Sequence, residues 1–142
     1  MPFPEYDEVH VVSDLHMGGE NDFQILRETK KLAAFIHWVA EQQPDGRVAL
    51  VLNGDIIDTL AEKNVDYIAV DNAEAVIGRI MADPAFAPVW DALADYVKQP
   101  HRTLVINIGN HDLELSFPVV QRAVLERLAG DDPAARGRIQ FS

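Results

Sequence analysis

Three short polar clusters carry side chains that could do chemistry. The first is Ser13-Asp14-Leu15-His16. The second is Asn53-Gly54-Asp55-Ile56-Ile57-Asp58, and the third is Gly109-Asn110-His111-Asp112. Asp14 and His16 stand at i and i+2, so an extended segment would point both the same way. A carboxylate and an imidazole on one side make a mixed oxygen/nitrogen site suited to Mn, Fe, Co, Ni or Zn. Asp55 follows a glycine, which permits the sharp turn that brings a carboxylate inward. Its two oxygens can bridge two cations. Asn110 offers a neutral carbonyl oxygen that adds no negative charge. Two cations about 3.5–4 Å apart can clamp a phosphate and hold a hydroxide for in-line attack.

Each cluster follows an apolar run. Val9 to Ser13 reads as a buried strand, and Arg47 to Asn53 as a strand covered on both faces. Thr103 to Ile108 reads as a third buried strand. In an open α/β sheet the ligand crevice lies outside the carboxyl ends of the strands. Clusters far apart in sequence therefore collapse into one place. Between the strands the pattern is helical. Phe23 to Gln43 carries an apolar stripe at Leu32, Phe35, Ile36 and Val39, with Asn21 or Asp22 as a cap and Pro44 beyond its end. Gly54 to Asp71 is mixed. Helices are expected near Asn72–Ala82 and Ala85–Lys98, broken at Asp83-Pro84. Pro118–Ala129 reads as a helix closed by Gly130. Arg138 to Phe141 opens a fourth strand. The order β-α-β-α-α-β-α-β implies a mainly parallel sheet with right-handed crossovers in one domain.

Composition narrows the function classes. The 142 residues carry 12 Lys+Arg against 23 Asp+Glu, a net charge of −11. Such a surface repels phosphate backbones and argues against a general nucleic-acid binder. An enzyme for anionic substrates stays open, because bound cations reverse the local field. The absence of cysteine removes disulfides and Cys-ligated zinc or iron–sulfur sites, and fits a reducing cytoplasm. No apolar run approaches 18 residues, so no transmembrane helix is expected. The first residues lack the pattern of a signal peptide.

The three clusters resemble the motifs D-x-H, G-D-x-x-D and G-N-H-D/E of the calcineurin-like metallophosphoesterase family. They stand here as Asp14-Leu15-His16, Gly54-Asp55-Ile56-Ile57-Asp58 and Gly109-Asn110-His111-Asp112, in the family's order. The stretch Ser13 to Gly18 is also similar to the opening of bacterial members related to UDP-diacylglucosamine hydrolases. The resemblance implies a two-sheet α/β sandwich with flanking helices, two divalent metal ions (Mn, Fe, Zn or similar) and hydrolysis of phosphate mono- or diesters. It implies that Asp14 and His16 bind the first metal. Asp55 bridges both, and Asn110 binds the second and touches the phosphate. His111 stabilises the transferring phosphoryl group or protonates the leaving oxygen, with Asp112 orienting it. Asp58 supports the ligands by hydrogen bonding.

The chain also departs from the family. The family adds a lone metal-binding His and a G-H-x-H segment on later strands, and no histidine follows His111 here. Residues 1–142 are therefore expected to be the N-terminal part of such a domain, truncated or completed by another chain. The rival expectation is a non-catalytic half-domain that assembles through an open sheet edge and keeps a partial metal site. A nucleotide-binding doubly wound domain is disfavoured, since its glycine fingerprints are missing. Other residues read more plainly. His10 is a core or edge residue, His37 a surface one, and His101 lies in a loop. Trp38, Trp90 and Tyr96 pack helices. Gly18-Gly19 make a turn, and Asp131-Asp132 a solvated loop.

Overall fold

A computed structural model describes residues 4–19, 24–58 and 72–142. Four parallel strands lie in the order β1-β2-β3-β4: β1 (Glu8–Val12), β2 (Val48–Asn53), β3 (Arg102–Asn107) and β4 (Ile139–Phe141). Helices α1 (Thr29–Ala40), α2 (Ala73–Ala82), α3 (Ala87–Lys98), α4 (Pro118–Ala129) and α5 (Pro133–Gly137) connect them. The α/β class and the parallel sheet agree with the reading of the sequence.

The register sorts side chains into two faces. Val12, Leu52 and Ile106 share one row, and Leu50 and Leu104 another, so they face the same side. Leu50, Leu52, Leu104 and Ile106 are buried there in one core with Ile36, Val39, Trp90, Leu93 and Val97 of α1 and α3. On the other side Val9 and Val11 are 51% and 57% exposed. β1 is therefore an edge strand with one open face, not the buried strand expected. β3 alternates buried and half-buried residues for the same reason. In β2 only Ala49 is fully buried on that second face, while Val51 is half-buried.

Two buried polar side chains tie helices to the sheet. Arg102 is buried and its guanidinium donates to the carbonyls of Ala40, Gln42, Gln43 and Gly46. These include carbonyls that the end of α1 leaves without a helical donor. The hydroxyl of Tyr96 on α3 lies 3.1 Å from the carbonyls of Val48 and Thr103. Burial raises its pKa above the ordinary tyrosine value, against the charge of Arg102.

Several boundaries differ from expectation. α1 begins at Thr29, and residues 24–28 are not helical. Its expected caps Asn21 and Asp22, and residues 59–71 of the mixed stretch, lie outside the described residues. A 3₁₀ turn at Leu113–Ser116 and the short α5 were not anticipated. Asp132 is not merely solvated: it caps α5 by accepting from the amides of Ala134 and Ala135 at 3.0 and 3.2 Å. Trp38 is 48% exposed and stacks on Phe35 rather than filling the core. Among the described residues no helix is long and apolar enough to cross a membrane.

Candidate metal centre

The loops after β1, β2 and β3 meet at the carboxyl end of the sheet. The first two are laced by backbone hydrogen bonds that continue the β1–β2 pairing. The amides of Asp14, His16 and Met17 donate to the carbonyls of Gly54, Asp55 and Ile56, and the amide of Asp58 returns to Met17. This lacing demands an unusual backbone. Asp14, His16 and Asp55 have φ of 58°, 49° and 51°. A left-handed conformation costs most residues about 1–2 kcal/mol, while Asp and His are among the types that visit it more often. The expected extended Asp14–His16 segment is thus replaced by two left-handed residues, yet their side chains still meet, with His16 Nε2 3.6 Å from Asp14 Oδ1.

The third loop fits against the second through glycine. A Cβ on Gly109 would lie 2.2 Å from Asp55 Oδ1 and 2.4 Å from its amide nitrogen. Gly54, at φ +84°, sits over the Gly109 Cα. Only a chain without side chains at these points lets Asp55 reach the third loop. There Asp55 Oδ1 accepts the His111 amide at 2.9 Å. Oriented by its hydrogen bonds, the Asn110 amide donates to the two Asp55 oxygens at 3.2 and 3.1 Å.

Asp58 stands beside the expected ligand His16, where a supporting residue was expected, and it also takes the place at His111 that was expected of Asp112. Asp58 is buried and faces both imidazoles, with Oδ2 3.3 Å from His16 Nδ1 and Oδ1 3.4 Å from His111 Nδ1. The two rings meet edge to face at 5.1 Å. Asp112 is fully buried, but its oxygens take backbone amides: Ile56 at 2.7 Å, Ile57 at 3.3 Å and Gly109 at 2.6 Å. The expected orientation of His111 by Asp112 is corrected accordingly, since the carboxylate beside that imidazole is Asp58. Burial pushes the Asp112 carboxyl up, while the three amides hold it down. The neighbours His111 and Asp112 project differently because they stand in adjacent positions of a turn. Sequence adjacency was a poor guide, and the i+3 partner of Asp55 was the better one.

Among the described residues, donor atoms gather within 4.8 Å of one another in two groups: Asp14, His16 and Asp55, and His16, Asp58 and His111. His16 Nδ1 is buried yet makes no hydrogen bond of good geometry, despite the nearby Asp58 oxygen. A mixed carboxylate and imidazole set with an unsatisfied ring nitrogen fits a divalent transition metal. Asn110 stands beside Asp55 on the exposed side.

Comparison with protein families matches residues 8–138 to the calcineurin-like phosphoesterases. The chain belongs to the calcineurin-like phosphoesterase family. The matched span holds all three clusters, so this membership and the convergence of donor atoms concern the same residues. The family association supports metal-dependent phosphoester hydrolysis as the general chemistry of the site. No curated protein and no solved structure matches the chain.

Proposed function

We propose that this chain carries the nucleophile-generating side of a two-metal phosphoesterase centre. The observation that carries the reading is the approach of Asp14, His16 and Asp55 donor atoms within 4.8 Å at adjoining strand ends. Asp14 and His16 would hold one ion, Asp55 would serve both, and Asn110 the second. Divalent cations held there supply Lewis acidity towards phosphoryl oxygens and lower the pKa of water. His111 stands at the same mouth to donate a hydrogen bond or a proton to a phosphoryl or leaving oxygen. Asp58 holds its ring from behind, with Oδ1 3.4 Å from Nδ1. Manganese is the ion to try first, and a phosphate mono- or diester the substrate. The likeness of Ser13–Gly18 to UDP-diacylglucosamine hydrolases adds nucleotide-linked pyrophosphates to the substrates worth testing. A cysteine-free chain suits a reducing compartment such as the cytoplasm.

The test is hydrolysis of bis(p-nitrophenyl) phosphate by the purified chain with Mn²⁺, with chelator, and as Asp55→Asn. The expected result is turnover that needs the ion and falls at least 100-fold in the variant. Turnover indifferent to both would defeat the reading.

A second reading is favoured by two observations. No imidazole follows His111, and Val9 and Val11 stay exposed on the open face of β1. Here the chain is a partial centre that becomes complete only with groups from another segment or chain. Turnover that appears only in an assembled form, separated by size-exclusion chromatography with light scattering, distinguishes the two.

A further inference from the structure

The second and third loops trade carboxylates for amides. The second loop gives the Ile56 and Ile57 amides to Asp112 of the third. In return the third loop gives the His111 amide to Asp55 of the second. Asp112 also binds the Gly109 amide of its own loop, which lies directly under Asp55. Asp112 is fully buried and so takes no part in contact with substrate.

We propose that Asp112 is a positioning residue, one half of a reciprocal carboxylate–amide clasp that fixes the Asp55 carboxylate against Asn110 and His111 before any ion binds. The inference rests on the metal-centre reading for its consequence, but the clasp itself belongs to the bare protein. Charge-assisted bonds from a carboxylate to backbone amides are stronger than neutral ones. The bonds from the Ile56 and Ile57 amides to Asp112 are buried and lose little to competition from water, while the bond from the His111 amide to Asp55 is half-buried. Removing Asp112 frees the second loop, and the bond from the His111 amide to Asp55 loosens as a result. A contact of only local importance would leave that distant amide untouched.

The test compares Asp112→Asn with Tyr96→Phe, which weakens the fold at the opposite end of the strands. Amide hydrogen exchange is followed by NMR on the metal-free protein. Exchange of the His111 amide is expected to quicken at least tenfold in Asp112→Asn beyond its change in Tyr96→Phe. His111 protection equal in the two variants would overturn the proposal. Should Asp112→Asn fail to fold, Asp55→Gly probes the other half, because glycine suits the left-handed backbone there. The Gly109 amide, bonded to Asp112 and not to Asp55, should then exchange at least tenfold faster, and unchanged protection would overturn the clasp. Calorimetric titration with Mn²⁺ reads the consequence: an affinity about 10–100-fold weaker in Asp112→Asn, as for other residues that orient ligands. A wild-type chain that binds no Mn²⁺ would sink the metal-centre reading and leave the exchange result to decide the clasp.

Discussion

At the scale of single residues, backbone and chemistry select the same side chains. The left-handed positions after β1 and β2 accept Asp and His more readily than most residues, and those are the types a mixed metal site needs. Gly109 is the complementary case, selected for having no side chain. In Gly109→Ala the new methyl would meet both the Asp55 backbone nitrogen and its carboxylate, so relaxation of a side chain alone does not relieve it. We expect a loss of about 1–3 kcal/mol in urea unfolding, in the range of other overpacked sites. Mn²⁺ binding by calorimetry should weaken far more than that fraction of stability explains. Wild-type affinity in this variant would show that the close approach is incidental. The motifs made Asp14, His16, Asp55, Asn110 and His111 legible as candidates. They did not reveal which acid serves which histidine. That depends on the turn at residues 109–112, which sends neighbouring side chains to different loops.

At the scale of elements, the strands and longer helices were legible because their apolar periods differ. The failures were local. α5 has five residues, too few for a periodic stripe, and only Asp132 followed by Pro133 could have announced it as a cap and first turn. The exposure of β1 was illegible, since a strand of alternating Val reads alike at an edge and in the middle. Nor does the sequence show that α3 is pinned to the sheet by Tyr96. Tyr96→Phe should cost about 1 kcal/mol at pH 8 through lost hydrogen bonding to the Val48 and Thr103 carbonyls. The sign of the pH dependence follows from the raised pKa. The folded chain keeps a proton that the unfolded chain releases near the ordinary tyrosine value of about 10. The contribution of Tyr96 is thus intact below about pH 10 and declines above it. By pH 11 the difference between wild type and Tyr96→Phe should move by about 1.4 kcal/mol against wild type, enough to cancel its advantage or slightly reverse it. Urea unfolding of both proteins at pH 8 and pH 11 measures it, and a constant difference would contradict the buried, protonated hydroxyl.

At the scale of the whole molecule, the net charge of −11 works against compactness, and part of it is gathered at one end of the sheet. Asp14, Asp55, Asp58 and Asp112 all lie in the loops beyond the strand ends, with two histidines among them. Two kinds of cation effect follow, and they are separable. Monovalent salt screens the repulsion throughout the surface and should raise the unfolding midpoint of wild type and Asp55→Asn alike. Divalent ions bound at the centre act by mass action on the folded state alone. At 100 times its dissociation constant, an ion binding one site adds about 2.7 kcal/mol. Thermal unfolding in Mn²⁺ at constant ionic strength therefore isolates the site. Wild type should gain several degrees, and Asp55→Asn little or nothing. Equal gains would mean that Mn²⁺ acts only as a general counter-ion, and the clustered carboxylates would then be a surface charge feature rather than a metal centre.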